Sequence, residues 1–433
     1  MTKALTPTRA DRLLRVFRRL AETTREAGVS RQLIEDHELH GDSIVLQGKK
    51  LGNFGLSSYL SLGDDPRVKA AAKDAIDRYG ASYSSSTAYT AVPLYGELRE
   101  RLAQIFDASV VLAGTTTLGH LAALPVMIRP GERALVDSQT HASVMLATQV
   151  LQANGVSVST VPHNDMVALA DAIEDGPDSN RVWFLTDGVF SMKGDVAPAD
   201  ELLALLNAHP NFHIYCDDAH GFGWDGLHGR GQFLRRMGWH ERLVVVVGLA
   251  KAFGSLGGVI AVPSGELAEN IELTGPVLTF GGPIPPPNLG ASVASADILL
   301  SDELPNLQHA LMERVRLVNG LSLQMSLPLA ARDETPLWFL DIGELGDMMR
   351  LVVAMRDAGF FLNAAAFPVV PQGHAGARFT VTLDNSPTQI EAMLSQLNET
   401  RLELFGETKI EVDLTDETAE SEVATDEHVD AAG

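Results

Sequence analysis

The stretch Leu243-Val-Val-Val-Val-Gly-Leu-Ala-Lys251 begins with an uninterrupted apolar run and ends on a lysine. Five comparable runs surround it, and the six together occupy residues 109–113, 133–136, 181–186, 212–216, 243–247 and 258–262. They are apolar throughout rather than alternating, and rich in β-branched or aromatic residues, which is typical of strands buried on both faces. Helical stretches such as 199–208 separate them. The sequence therefore predicts an α/β fold with a mostly parallel central sheet and helices on both sides.

A second type of pattern begins at about residue 305 and indicates a smaller α+β domain. After a long helical stretch, the chain shows a strand at 335–341, a helix near 345–358, a strand at 378–383 and a closing helix over 388–402. We therefore expect four segments, which are an N-terminal helical arm (1–56), a large domain (57–304), a small C-terminal domain (305–405) and an acidic disordered tail (406–433).

The charge of the chain limits the partners that it can have. The 433 residues carry a formal net charge of −23, which argues against sequence-independent nucleic-acid binding, because such binding needs a basic surface. Part of this charge is local, since residues 411–433 contain nine carboxylates and no lysine or arginine. Such a segment is typical of a disordered, solvating tail, and we expect no catalytic role for it.

Other features favour a cytoplasmic protein without stable membrane insertion. No stretch of about 18 uninterrupted apolar residues occurs. The N-terminal residues form an amphipathic pattern and lack the apolar core of a secretory signal. The single cysteine, Cys216, rules out an internal disulfide, and its apolar surroundings predict a buried side chain rather than a reactive thiol.

Polar groups follow two of the predicted strands at the same end. Asp217 directly follows the run that ends at Cys216, and Lys251 lies just beyond the next run. Pyridoxal phosphate needs this pair, because a lysine forms a Schiff base with its aldehyde and an aspartate keeps its pyridine nitrogen protonated. Its phosphate needs backbone N–H groups at a helix start, and Ala113-Gly-Thr-Thr-Thr117 provides such a strand-to-helix turn with hydroxyls. The joint order of these groups predicts a pyridoxal-phosphate site.

Each of these residues also has a plainer interpretation when it is taken alone. Lys251 could be a solvated loop residue, and Asp217 could cap a helix. His141, in Gln-Thr-His-Ala-Ser, could belong to a capping region, and the threonine run could be an ordinary helix start. Nothing in the pattern indicates a metal site.

Several longer motifs occur in a characteristic order. They are Ser58-Tyr-Leu-Ser-Leu-Gly-Asp-Asp-Pro66, Asp137-Ser-Gln-Thr-His-Ala-Ser143, Thr186-Asp-Gly-Val-Phe-Ser-Met-Lys-Gly-Asp-Val-Ala-Pro198, Asp217-Asp-Ala-His-Gly-Phe-Gly223, Gly248-Leu-Ala-Lys-Ala-Phe-Gly254 and Phe367-Pro-Val-Val-Pro-Gln-Gly373. Between about residues 57 and 397 the chain resembles the α-oxoamine synthase family, within the fold-type-I pyridoxal-phosphate enzymes. The resemblance implies a large cofactor-binding domain, a small C-terminal domain and a homodimer whose active sites lie at the interface.

The resemblance also implies roles for individual residues. Lys251 would carry the Schiff base and later move the Cα proton, while His141 would stack on the cofactor ring. Asp217 would pair with the pyridine nitrogen, and His220 would reach the ring hydroxyl. Further cofactor contacts would come from Gly114, Thr115, Thr116, Ser191 and Thr279, and substrate contacts from Arg378 and Ser58. A guanidinium suits a substrate carboxylate because it bonds both oxygens at once.

The chain departs from the family pattern at several phosphate and substrate contacts. Gly248 stands where relatives carry a hydroxyl residue, and Gly281 and Gly282 lie in a segment where relatives carry serine or threonine, a loss that Thr279 could offset. Ser58 replaces an asparagine, and Leu383-Asp-Asn-Ser386 replaces an Ala-Ala-His motif. These changes leave the prediction of the cofactor intact and leave the substrate open.

The reaction that the resemblance implies is a decarboxylative condensation. A small amino acid would react with an acyl thioester such as acyl-CoA, or an acyl-carrier protein, to give an α-amino ketone. The alternatives are another reaction of the same cofactor, such as aminotransfer, aldol cleavage or simple decarboxylation, and a catalytically inactive partner subunit. The presence of Lys251, Asp217, His141 and His220 together argues against the inactive subunit.

Overall fold

The N-terminal part of the chain contains a strand pair as well as helices. The computed structural model describes residues 9–175 and 180–406, so the acidic tail predicted over 406–433 lies outside the described residues apart from Gly406. The first elements are α1 (Arg9–Glu26), β1 (Ser43–Leu46), β2 (Lys49–Asn53), α2 (Pro66–Tyr79) and α3 (Leu94–Phe106). β1 and β2 pair antiparallel. Within the described part of the expected helical arm over 1–56, Arg9–Glu26 form a helix and the later residues include this strand pair.

A seven-stranded sheet is formed by strands from residues 109–262. Its elements in chain order are β3 (Ser109–Ala113), α4 (Thr116–Met127), β4 (Arg133–Asp137), α5 (Ala142–Ala153), β5 (Ser157–Val161), α6 (Met166–Glu174), β6 (Val182–Asp187), α7 (Ala199–Ala208), β7 (Phe212–Asp217), α8 (Gln232–Met237), β8 (Leu243–Gly248) and β9 (Gly258–Val262). The strand order is β3-β9-β8-β7-β6-β4-β5. Only β9 runs antiparallel to its neighbours, so the prediction of a mostly parallel sheet is confirmed.

Burial determines which strands the sequence could predict. Every residue of β6 and β8 is buried, as is every residue of β7 except the partly buried His213, because helices cover both faces of the sheet. All six apolar runs form strands that begin and end within one residue of the predicted limits. The seventh strand, β5, lies at the edge of the sheet, and Ser157, Ser159 and Thr160 are exposed on it. Because the sequence of β5 is mostly polar, a search for apolar runs does not find this strand.

The C-terminal part begins with helices and ends in a small sheet. Its elements are α9 (Gly265–Thr274), α10 (Pro276–Phe280), α11 (Pro286–Leu299), α12 (Leu304–Gln324), β10 (Leu337–Gly343), α13 (Leu345–Asp357), β11 (Phe360–Phe361), β12 (Asn363–Ala365), β13 (Ala375–Thr380) and α14 (Pro387–Phe405). β13 lies between β10 and β12, antiparallel to both. β11 pairs parallel with β2, so the N-terminal hairpin and β11 form a second three-stranded sheet.

This topology brings polar side chains together at one edge of the large sheet. Parallel strands end at the same edge, and ligands of such sheets bind there. Asp187 and Asp217 are register partners on β6 and β7. Lys251 lies three residues beyond β8, the neighbour of β7. Among the described residues, no helix combines the length and apolar character needed to span a bilayer.

Candidate active site

Lys251 lies at the carboxyl edge of the sheet and keeps part of its surface open to solvent. Burial lowers its pKa; the carboxylates of Asp217 and Asp187 oppose this effect, and the positive charge of Arg378 adds to it. The positive charge of Lys251 in turn lowers the pKa of His220 and of His141, although burial is the larger cause in both. A lowered pKa favours the neutral amine, which is the form that can act as a catalytic base.

Asp217 is buried and held by two hydrogen bonds. Its Oδ1 accepts the backbone N–H of Ala219 at 3.0 Å, and its Oδ2 lies 3.0 Å from Nε2 of His120. Burial alone would raise the pKa of Asp217, but its hydrogen bond with His120 and the positive charge of Lys251 nearby lower it to about 2. The carboxylate is therefore ionised at neutral pH.

His220 is buried beside a tyrosine that the sequence analysis did not single out. The Tyr59 hydroxyl lies 2.7 Å from Nδ1 of His220. Burial raises the pKa of Tyr59, and burial lowers that of His220, so the phenol keeps its proton and the imidazole stays neutral. The phenol can then donate to Nδ1, which leaves the proton of the imidazole on Nε2. Tyr59 thus fixes the tautomer in which His220 presents an N–H donor.

His141 is the N-cap residue of α5 and remains exposed on one side. Its Nδ1 lies 2.6 Å from the Ser143 hydroxyl, and its backbone N–H donates to Oδ1 of Asp187 at 3.1 Å. Desolvation of the buried part of the ring lowers its pKa. The capping interpretation and a role in ring stacking are therefore compatible, because the cap fixes the orientation of an imidazole that is still accessible.

Arg378 lies on β13 and reaches the loop that follows β6. Its Nε donates to the carbonyl oxygen of Ser191 at 2.7 Å, so Ser191 contributes its backbone to this contact. Ser58 is partly exposed, and its carbonyl accepts the N–H of Ser61 at 2.7 Å. Burial raises the pKa of Tyr59 and lowers that of Lys251; the positive charge of Arg378 opposes the first shift and adds to the second, so the guanidinium lies near both side chains.

The loop that carries Ser191 is held by a charged cluster. His163 Nδ1 lies 2.9 Å from Oδ1 of Asp137, and His163 Nε2 lies 2.6 Å from Oδ2 of Asp195, which belongs to the same loop as Ser191. Burial alone would lower the pKa of His163, but its bonds to Asp137 and Asp195 raise it to about 9. The imidazole is therefore charged at neutral pH and ties the loop to the end of β4.

We expect this cluster to make stability depend on pH. Because the folded-state pKa of His163 is about 9 against 6.5 unperturbed, its contribution is complete below pH 6.5 and is lost as the pH rises through about 9. The shift corresponds to roughly 3 kcal/mol at most. The thermal unfolding midpoint should fall across this window in the wild type, and less in His163→Gln. His309→Gln, at an exposed position, should behave as the wild type; equal pH profiles for both variants would contradict the assignment.

The start of α4 forms the corner predicted to hold a phosphate. The Thr115 hydroxyl caps the helix by accepting the N–H of Leu118 at 3.2 Å. Within the described part of the chain, the N–H groups of Thr116 and Thr117 have no acceptor, as the first amides of a helix lack intrahelical partners. A Cβ on Gly114 would stand 2.8 Å from the carbonyl oxygen of Gly282, so only glycine fits this approach.

Gly248, one of the departures from the family pattern, lies in the same corner. A Cβ on Gly248 would stand 2.8 Å from the hydroxyl oxygen of Thr116. A hydroxyl from α4 therefore occupies the space next to the strand end where relatives carry a hydroxyl residue. At the other departure, Gly281 ends α10 by donating its N–H to the carbonyl oxygen of Val277. The carbonyl of Thr279 accepts the Ser86 hydroxyl at 2.7 Å.

Comparisons with known proteins agree with this arrangement. A profile of the aminotransferase class I and II family matches residues 49–395. The 8-amino-7-oxononanoate synthase of Symbiobacterium thermophilum is 30% identical over 377 residues, which cover 86% of this chain and 93% of the relative. The 8-amino-7-oxononanoate synthase of Maricaulis maris is 30% identical over 379 residues, covering 85% and 91%. The chain belongs to the α-oxoamine synthase family.

Solved structures of similar fold support the same architecture. A Sphingomonas wittichii serine palmitoyltransferase superposes with a TM-score of 0.84 at 21% identity, covering 93% of this chain and 99% of the other. The 8-amino-7-oxononanoate synthase of Francisella tularensis gives a TM-score of 0.69 at 21% identity, covering 81% and 97%. The predicted fold-type-I architecture of a pyridoxal-phosphate transferase is therefore confirmed.

As a member of this family, the protein is an acyltransferase that depends on pyridoxal 5′-phosphate. Its own residues fit this cofactor. The start of α4 offers amide donors and hydroxyls for a phosphate, the edge of β7 offers an ionised carboxylate, and Lys251 offers an amine of lowered pKa. Of the residues around these groups, the sequence analysis missed Tyr59 and His120. Tyr59 lies within the motif that begins at Ser58, and that motif could have indicated it.

Proposed function

We propose that the protein condenses a small amino acid with an acyl thioester, with loss of carbon dioxide, to give an α-amino ketone. The observation that carries the proposal is the convergence of Lys251, Asp217 and Arg378, which supply a base, a counter-charge and a carboxylate receptor. When bound, pyridoxal phosphate supplies an electron sink for negative charge at the amino-acid Cα. The names of the relatives, 8-amino-7-oxononanoate synthase and serine palmitoyltransferase, support the same class of reaction.

The residues of the site have distinct tasks in this reaction. Nζ of Lys251 takes the proton from the amino-acid Cα, which its lowered pKa permits. The ionised carboxylate of Asp217 stabilises a positive charge on the ring nitrogen of the cofactor. Nε2 of His220 donates a hydrogen bond into the site, because Tyr59 occupies Nδ1. The exposed imidazole of His141 would pack against the cofactor ring when the cofactor is bound.

Arg378 would select the amino-acid substrate. Its Nε is engaged with the carbonyl of Ser191, so the orientation of the guanidinium is set before the substrate arrives. The remaining N–H groups can bond both oxygens of a carboxylate. Ser58 lies in the segment that precedes Tyr59, and we assign it to the substrate side of the site.

Replacing Arg378 by lysine should mainly weaken amino-acid binding. Lysine keeps the charge but loses the planar fork and the anchor to Ser191, so we expect KM for the amino acid to rise roughly tenfold to hundredfold. KM for the acyl thioester should change little. Steady-state kinetics with each substrate varied in turn would measure both values. Arg356→Lys, on α13, serves as a matched control, and an equal rise in both KM values would contradict the assignment.

We also assign the protein to the cytoplasm and to a homodimer. Large apolar side chains are exposed near the phosphate corner, among them Phe280 at 88% and Leu273 at 70%. A second subunit would cover them and would bring Thr279 or its neighbours toward the opposite phosphate site. Sedimentation should give twice the mass of the 46.5-kDa chain. An active species that sediments as a monomer would contradict this proposal.

The reaction class can be tested by following thiol release. The purified protein would be incubated with glycine, alanine or serine, each with acyl-CoA of several chain lengths and with an acyl-carrier protein. We expect release of free thiol and of carbon dioxide only when both substrates are present. Transfer of the amino group or loss of carbon dioxide without a thioester would favour the alternative reactions. No reaction with any pair, and no cofactor absorbance, would favour an inactive subunit.

A further inference from the structure

A buried chain of three hydrogen-bonded polar groups ends at the carboxylate of Asp217. The Tyr215 hydroxyl lies 2.8 Å from Nδ1 of His120, and Nε2 of His120 lies 3.0 Å from Oδ2 of Asp217. His120 and Tyr215 are completely buried. Tyr215 and Asp217 lie two residues apart on β7, so both side chains point to the same face of the sheet, toward α4. Both ring nitrogens of His120 therefore have hydrogen-bond partners within the protein.

The chemistry of the two partners determines where the proton of His120 lies. An ionised carboxylate can only accept a hydrogen bond, so Nε2 must carry a proton. Burial raises the pKa of Tyr215 far above its usual range, so the phenol keeps its proton. Among the described residues, the phenol meets its acceptor in Nδ1 of His120. The chain of donors therefore runs in one direction, from Tyr215 through His120 to Asp217.

Asp218, the next residue, shows how burial changes the pKa of a carboxyl group that has no imidazole as a hydrogen-bond partner in the described part of the chain. Asp218 is completely buried and accepts the backbone N–H of Phe233 at 3.0 Å, and among the described residues its hydrogen bonds come from backbone N–H groups rather than from an imidazole. Burial raises the pKa of Asp218 to about 8. Asp217, with His120 beside it, has a pKa of about 2. Two adjacent buried acids therefore differ in charge at neutral pH, and the contact with His120 is the main difference between them.

The position of His120 on its helix connects it to the phosphate corner. Thr116 and His120 are four positions apart on α4, which places them on the same face of the helix, one turn from each other. The hydroxyl of Thr116 lies at the end of β8, beside Gly248. A single helix therefore supplies a hydroxyl at one end of the site and the imidazole that contacts Asp217 at the other.

We propose that His120, with its proton directed by Tyr215, is a positioning residue that holds the Asp217 carboxylate ionised and oriented toward the cofactor ring nitrogen. The inference rests on the proposed function, because it assumes that Asp217 faces that nitrogen. Loss of the His120 donor would leave a buried carboxylate without its strongest partner. Asp217 would then take up a proton or turn away, and the ring would lose its counter-charge.

The test compares a variant that removes the donor with one that restores it. His120→Leu fills the space without a polar group, and His120→Gln keeps an N–H donor at a similar distance. Tyr215→Phe keeps His120 but removes the group that directs its proton. His213→Leu, on the same strand and the same face as Tyr215, serves as the matched control. The protein would be stripped of cofactor and titrated with pyridoxal phosphate, with absorbance near 420 nm as the readout.

We expect His120→Leu to weaken cofactor binding roughly tenfold to hundredfold, the usual range for a hydrogen bond to a charged group. Exchange of the amino-acid Cα proton without thioester should slow by a similar factor. His120→Gln should recover most of both losses, and Tyr215→Phe should show a smaller loss than His120→Leu. His213→Leu should bind as the wild type does. If packing alone mattered, leucine and glutamine would behave alike.

Two results would separate failure of this inference from failure of the proposed function. If the wild type binds pyridoxal phosphate and His120→Leu binds it equally well, the inference fails while the proposed function stands. Equal losses of binding in the leucine and glutamine variants would have the same consequence. A wild-type protein that takes up no pyridoxal phosphate would overturn the proposed function, and the inference with it. Should His120→Leu fail to fold, His120→Gln and Tyr215→Phe remain as the test. If Tyr215→Phe then binds pyridoxal phosphate as tightly as the wild type does, that result counts against the proposal.

Discussion

Replacing Lys251 by alanine should reduce thiol release by at least about 10³-fold while the fold is retained. Lys251 is the proposed attachment point of the cofactor and the base for the Cα proton, and loss of a general base alone costs roughly 10²–10⁴-fold. The side chain lies in a turn after β8, outside the hydrogen-bond ladder of the sheet. The measurement is turnover by thiol release, together with circular dichroism to monitor folding.

A lysine elsewhere on the surface provides the control for this experiment. Lys73 is exposed on α2, so Lys73→Ala removes the same atoms without touching the carboxyl edge of the sheet. We expect it to retain full turnover. Wild-type turnover in Lys251→Ala would remove this lysine from the mechanism, whatever the state of the other residues.

Replacing Asp217 by asparagine should have the second-largest effect, a loss of at least about a hundredfold in kcat. Removing one preorganised electrostatic partner of a reacting charge typically costs roughly 10²–10³-fold. Asparagine keeps the shape of the side chain and can still accept the N–H of Ala219, but it removes the charge and the oxygen that accepts from Nε2 of His120. Exchange of the Cα proton should fall together with turnover, because both need the electron sink.

Asp218 offers a matched control for the loss of charge. It is the adjacent residue and equally buried, but burial raises its pKa to about 8, so it is largely protonated at neutral pH. Asp218→Asn therefore changes little charge, and the amide oxygen can still accept the N–H of Phe233. We expect a change in kcat of less than about fivefold. Equal losses in the two variants would show that packing, and not charge, is responsible for the effect at Asp217.

The central sheet could be predicted because its strands are buried on both faces. Runs such as 243–247 are short, β-branched and apolar without interruption, and this combination favours a buried strand over a helix. The edge strand β5 and the hairpin of β1 and β2 were missed, since these strands are short and partly polar. The order of the strands then places Asp217 and Lys251 at one edge, which made the main part of the site accessible to sequence reasoning.

The supporting residues of the site depend on contacts that the sequence does not reveal. His120 lies within an apolar helix, 97 positions before the carboxylate that it contacts. Tyr59 contacts His220 across 161 positions. Neither pair shares a motif or a periodicity, so only the packing of α4 against β7, and of the segment around Tyr59 against the loop after β7, brings them together. The close approach of Thr116 to Gly248 has the same origin.

The measurement that most directly tests the account is borohydride reduction of the native protein with pyridoxal phosphate bound, followed by mass mapping of its peptides. We expect a pyridoxyl phosphate group on the peptide that contains Lys251, and loss of the label in Lys251→Ala. A label on another lysine, or no label in a protein that releases thiol at full rate, would contradict the claim that this lysine and Asp217 hold one cofactor ring between two neighbouring strand ends.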